Sequence, residues 1–138
     1  MNREIKFRVW DYKRKRMYLP VCVFMETPTN GGLWATVKGF DVIEQKEIHL
    51  QSEKCNIMQF TGLIDRLEIE IYEGDIVYCR DEHGYVVGRN DVVEYNSLTG
   101  CFWLRYRDIP LYKWAMFYND NGTIDVIGNI HENQELLK

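Results

Sequence analysis

No two of the four cysteines, at positions 22, 55, 79 and 101, are closer than 22 residues. That spacing leaves no CxxC knuckle for zinc and no vicinal redox pair. The three histidines, 49, 83 and 131, stand 34 and 48 residues apart, so no HxH or HxxxH spacing marks a metal site on one strand or helix. Prolines number three. The first twenty residues lack the apolar run of about 7–15 residues that a signal peptide needs, and no stretch approaches the roughly 20 apolar residues that span a bilayer. The expectation is a cytoplasmic protein with reduced, mostly buried thiols and no membrane association. Ser52 and Ser97 lie in polar, turn-like surroundings rather than in a nucleophile elbow. Cys79 or Cys101 would need a paired histidine that no spacing identifies. "GYVVG" (84–88) lacks the lysine and the spacing of a phosphate loop. With no catalytic constellation, no cofactor motif and no metal motif, the chain is expected not to be an enzyme.

What is present is an ordinary globular composition: 138 residues, 46% hydrophobic, 28% charged and 14% aromatic. A chain of this size suits one domain or two small β units sharing a core. Its charge is uneven. Residues 1–20 carry seven basic and two acidic side chains, and the remainder ten basic and nineteen acidic. Such a split favours pairing between subunits, or a local basic patch, over a basic surface spread across the whole protein.

Period-two patterning dominates, as in half-buried strands. In "EIKFRVW" (4–10), Ile5, Phe7 and Val9 alternate with Lys6, Arg8 and Trp10, which would form an outer face. Asp11 and four bases then make a hairpin connection, with strand resuming at Met17-Tyr18 and again over Val21–Met25. "ETPTNGG" is a loop, Leu33–Val37 a strand ended by Gly39, "DVIEQKEIHL" (41–50) an ambiguous strand, and "NIMQF" (56–60) a clearer one. In 61–77, five acidic residues surround an alternating ladder, Leu67, Ile69 and Ile71 inward, Glu68 and Glu70 outward and about 7 Å apart. Exposed glutamates on a strand face lack the desolvation that general acid chemistry needs. Gly74 is placed to take a positive φ, and Asp75 to bind backbone amides of its own turn before the strand at Ile76-Val77-Tyr78. Strands follow at Tyr85–Gly88, Asp91–Tyr95, Cys101–Arg107, Ala115–Tyr118 and Thr123–Ile130. "NSLTG" and Asn121-Gly122 serve as turns, and "ENQELLK" as a single helical turn. Short strands with turns between them predict a mainly β fold, a small barrel or sandwich with little helix.

Three stretches, "REIKFRVWD", "MQFTGLIDRLEIEIYEGDIV" and "VIGNIHENQELL", resemble the YopX family of bacteriophage and prophage proteins in order and separation. The resemblance covers about a third of the chain and does not extend over residues 20–55. It implies a mainly β protein with an N-terminal β region (1–57) and an SH3-like barrel over 58–138. It brings no established activity, cofactor or catalytic residue. Two departures bear on local structure. Leu67 and Glu68 replace an Asn-Gly, which predicts a wider or shifted bend after Asp65. Gln134 replaces a proline, which lets the last turn wind further.

Two surfaces are candidates for binding. Lys13, Arg14, Lys15 and Arg16, with Arg8 and Trp10 beside them, could hold phosphates and stack a base; as a plain alternative they form a solvated hairpin tip. In "CFWLRYRD", Trp103, Arg105 and Arg107 would share one strand face and Phe102, Leu104 and Tyr106 the core face. "LYKWAMFY" (111–118) is core or a surface that another subunit covers. The expected role is binding to protein, either a second copy of the chain or a host or phage factor, with a nucleic acid as the rival partner.

Overall fold

The computed structural model describes residues 4–26, 34–81, 83–113 and 124–138. The expected strand Ala115–Tyr118, with most of the segment 111–118, the Asn121-Gly122 turn and most of the expected loop 26–32 lie outside them. The backbone divides into two compact units, residues 1–59 and 60–138. Both are antiparallel β structure. Among the described residues no helix is long and apolar enough to cross a membrane.

The first unit comprises β1 (Phe7–Asp11), β2 (Arg16–Glu26), β3 (Trp34–Asp41), β4 (Lys46–Gln51), a 3-10 turn at Ser52–Lys54 and the first half of β5 (Cys55–Ile64). Its strand order is β4-β3-β2-β1-β5. The core is Val9, Tyr18, Val21, Val37, Ile48, Leu50 and Cys55. β2 runs unbroken where two segments were expected. The ambiguous 41–50 resolves into a turn at 42–45 followed by β4. Gly39 does not end β3 but pairs with Ile48 inside it. A Cβ at that position would lie 3.1 Å from Val21 Cγ1 and 3.4 Å from Ile48 Cγ1, so close packing explains the glycine.

In the second unit the rest of β5 pairs with β6 (Glu70–Tyr72). Then come β7 (Asp75–Cys79), β8 (Asp91–Asn96), β9 (Cys101–Leu104), β10 (Ile109–Pro110) and β11 (Ile124–Asn129). Their order is β10-β9-β8-β7-β11, around Ile71, Val77, Cys79, Val93, Leu104, Leu111 and Ile124. A 3-10 turn at Gln134–Leu137 closes the chain, where a helical turn was expected.

Three strand expectations are corrected here. The expected ladder Leu67–Ile71 is strand only from Glu70 on, in β6; residues 66–69 form a turn, and Leu67 and Ile69 are 64% and 44% exposed while Ile71 is buried. The Asp65 carboxylate accepts hydrogen bonds from Leu67 N (2.8 Å), Ile69 N (2.9 Å) and Val126 N (3.1 Å), and this capture of amides outcompetes strand pairing. Glu68 takes φ +64, the left-handed conformation that an Asn-Gly would supply, so the bend stays tight despite the substitution. Tyr85–Gly88 contributes only an isolated bridge, Arg80 to Val86. β9 stops at Leu104 because residues 105–108 turn, leaving Tyr106 exposed rather than in the core.

Candidate interaction surface

Two hairpins of the first unit end in loops built alike. Asp11 and Asp41, both buried, close β1 and β3. Asp11 Oδ1 accepts from Lys13 N (2.8 Å) and Arg14 N (3.1 Å); Asp41 Oδ1 accepts from Ile43 N and Glu44 N, each at 2.9 Å. Lys15 and Gln45 then take φ of +54 and +53 to return the chain. Each aspartate thus satisfies the amides that a four-residue loop would leave open.

The remaining carboxylate oxygens tie the two loops together. Asp41 Oδ2 accepts from Tyr18 Oη (2.6 Å) and Arg16 Nη1 (2.8 Å). Arg14 donates to Asp11 Oδ2 (3.0 Å) and to Glu44 Oε1 (3.3 Å), and Lys46 Nζ lies 2.6 Å from Glu44 Oε2. The Tyr18 bond and the Glu44 amide hold Asp41 well below the usual carboxylate range. Burial, then the Asp41 carboxylate, push Tyr18 up to about 12. Burial works to raise Asp11, but bonds from Arg14 and Lys13 outweigh it and lower the carboxyl. Lys46 and Arg14 lower Glu44. The arginines are therefore neutralised within the two loops.

What faces water on these tips is different. Val42 and Ile43 are 71% and 74% exposed, Tyr12 is exposed on the other loop, and the ammonium groups of Lys13 and Lys15 have no ion pair among the described residues. The sequence reading missed Asp41, Tyr18, Glu44, Val42 and Ile43. The repeated D-x-x-x-x-[KR] of "DYKRKR" and "DVIEQK" is the signal that would have found the paired loops.

The other candidate residues are dispersed. Arg8 and Trp10 are buried, 8% and 6% exposed, because β1 lies between β2 and β5 and residues 8–11 are covered on both faces. They do not form an outer face beside the basic loop. Trp103, half-buried, donates Nε1 to Asp108 (3.2 Å), and Arg105 donates to Glu94 (2.8 Å). Arg107 donates its backbone N–H to Asp91 (3.0 Å) and its guanidinium to the Val87 carbonyl. Arg105 and Arg107 sit in the turn after β9, not on a common strand face with Trp103. Gly74 has φ +80, and Asp75 Oδ2 accepts from Tyr72 N (2.7 Å), so both shape the turn before β7. All four cysteines are free thiols; Cys55 and Cys79 are buried, Cys22 is exposed and Cys101 partly so. Among the described residues no group of three His, Cys, Asp or Glu side chains is placed to hold a metal ion.

Protein EF1440 from Enterococcus faecalis, known from a crystal structure, is similar over its whole length: TM-score 0.67 and 26% identity, covering 99% of this chain and 100% of that one. No curated protein matches. The family model described as YopX protein matches residues 6–138, including the stretch 20–55 where no resemblance was evident.

Proposed function

We propose, from the premise that this chain belongs to the YopX family, that it is a phage- or prophage-encoded, non-enzymatic protein that acts in the cytoplasm by binding protein, with the joined tips of residues 11–16 and 41–46 as its contact surface. One observation carries the proposal: adjacent aliphatic side chains, Val42 and Ile43, face water on a loop whose Ile43 and Glu44 amides are already bonded by Asp41. Exposed apolar groups grouped with charges at the rim are the composition of an interaction site. The last five strands form a four-strand meander whose fifth member returns beside the first, β10-β9-β8-β7-β11, and this order supports reading the second unit as an SH3-like barrel.

A nucleic-acid partner is the second reading, favoured by the uncommitted charges of Lys13 and Lys15. Arg14, Arg16 and Arg105 already sit on carboxylates. Two free lysines would give a salt slope of only about −2, weak for a nucleic-acid binder.

The test is recovery of partners on the immobilised full chain from lysogenic cells, with and without nuclease, comparing wild type with Val42→Ser/Ile43→Ser. A defined protein retained after nuclease and lost with the double variant supports the proposal. Recovery that disappears with nuclease transfers support to the nucleic-acid reading. A partner retained equally by both forms removes the tips from the site.

A further inference from the structure

We infer that the joined tips dock on the β5–β6 turn of a second copy of this chain, residues 64–70, so that copies associate head to tail. This deepens the protein-binding reading and rests on it. The two surfaces are complementary in charge while alike in apolar character. Residues 11–16 and 41–46 hold five cations, Lys13, Arg14, Lys15, Arg16 and Lys46, against three carboxylates. Around residues 64–70 Glu68 is exposed and Glu70 half-buried, while the Asp65 carboxylate is buried on backbone amides and the Arg66 guanidinium is committed to Asp125. Ile64, Leu67 and Ile69 are exposed around that turn, as Val42 and Ile43 are around the tips. Asp65 satisfies the turn's amides, so these aliphatics are not needed to form it. The same polarity extends through the chain: residues 1–59 carry ten basic and seven acidic side chains, residues 60–138 seven basic and fourteen acidic.

Such a contact is small. Two loop surfaces bury well under the roughly 1,200 Å² of a stable complex, so the association is weak and concentration-dependent, with an affinity on the order of 10⁻⁴ M. Opposite charge at its rim makes it salt-sensitive. The two surfaces are distinct on each copy. Reciprocal docking closes a pair, and one-way docking extends a chain.

The experiment is sedimentation of the full chain from about 10 µM to about 1 mM, at about 0.05 M and about 0.5 M salt. Lys13→Glu/Lys15→Glu reverses the tip and Glu68→Lys reverses the turn, all at exposed positions. Wild type should associate, and more weakly at high salt. Each variant alone should lose at least roughly ten-fold in association, and an equimolar mixture should recover it, because the wild-type tip of one variant meets the wild-type turn of the other and reversed tip meets reversed turn. Far-ultraviolet spectra check that each variant is folded. A monomeric wild type throughout the range overturns the inference, as does association unaffected by both variants or no recovery on mixing. If wild type is monomeric yet its tips still capture a nuclease-resistant partner, this inference fails while the protein-binding reading stands. If the tips capture nothing either, both fail.

Discussion

Removing the Asp91 carboxylate should cost about a third of the stability of a domain this size. Asp91 is fully buried at the start of β8. Its Oδ1 accepts from Val92 N and Tyr106 N, each at 2.8 Å, and its Oδ2 from Arg107 N at 3.0 Å, with Arg107 Nε 3.8 Å away. Hydrogen bonds to a charged acceptor contribute about 1.5–3 kcal/mol each. Three bonds set an upper limit near 9 kcal/mol, but Tyr106 and Arg107 lie in a turn that water can reach once the carboxylate is gone. Asp91→Ala should therefore cost about 3–4 kcal/mol, against a typical total of about 5–15. Asp91→Asn keeps an oxygen for Val92 and Tyr106 but turns an NH2 toward the Arg107 amide and guanidinium; its cost should be about 2 kcal/mol. Glu94→Ala removes an exposed ion pair to Arg105 and should change stability by less than about 0.5 kcal/mol. Urea titration reads these as midpoint shifts at constant slope, about 1.5–2 M for the alanine variant at a slope of about 2 kcal/mol per molar. An alanine variant within about 1 kcal/mol of wild type, or an asparagine variant less stable than the alanine one, refutes the reasoning.

Three further outcomes are expected. Glu68→Gly relieves a left-handed residue (φ +64) at some cost in unfolded-chain entropy; a net gain of about 0.5 kcal/mol should raise the melting midpoint by roughly 2 °C, and a lower midpoint contradicts it. Gly128→Ala would place a Cβ 2.5 Å from Asn133 Oδ1 and 2.8 Å from its Cβ, disturbing the loop after β11; a loss of about 1–3 kcal/mol is expected in the same titration, and a neutral result would mean the loop shifts freely. Burial raises Cys55 and Cys79 to about 11 and, with Asp41, raises Tyr18 to about 12, all above their unfolded values of 9.0 and 10.0. Groups raised in the folded state stabilise fully below the unfolded value. Their contribution is lost as pH climbs, first between about 9 and 11, then between about 10 and 12. A melting midpoint that stays level from neutral pH to about 11 would show that these groups ionise without penalty.

The strands that the sequence made legible are those bracketed by turn chemistry. Gly74-Asp75 opens β7, and "NSLTG" separates β8 from β9, because a positive φ and a side chain that binds amides leave few alternatives. Where the reading failed, period two was asked for more than it contains. Alternation says that one face is apolar, but not whether the other is covered; Arg8 and Trp10 are polar or amphipathic yet buried, since β1 is an inner strand. In Leu67–Ile69 the period is present and the strand is not, because one carboxylate at Asp65 captures the Leu67 and Ile69 amides, and pairing begins only at Glu70. The basic loop was visible as a loop, but the pairing of its arginines was not. That Arg14 and Arg16 are spent on Asp11, Asp41 and Glu44 depends on a second hairpin thirty residues away in sequence.

The loops share one device, and it bears on function. Asp11, Asp41, Asn96 and Asn129 each accept the amides two and three residues on. Lys15, Gln45 and Gly100, four residues beyond the first three of these, take the left-handed conformation. One polar side chain and one backbone twist therefore fix the return of the chain, and they fix strand register with it. Of the side chains between, Arg14 and Glu44 tie the two tips together, and the others take no part in shaping the turn. A single exposed aliphatic in such a loop, like Leu98, needs no explanation. Two consecutive ones at Val42-Ile43, on a loop that Arg14 bonds to a second loop carrying exposed Tyr12, Lys13 and Lys15, are apolar groups that the turn does not require. The same holds for Leu67 beside Asp65. Residues that neither fill a core nor shape a turn are where binding would leave its mark, and Val42, Ile43 and Leu67 are among them.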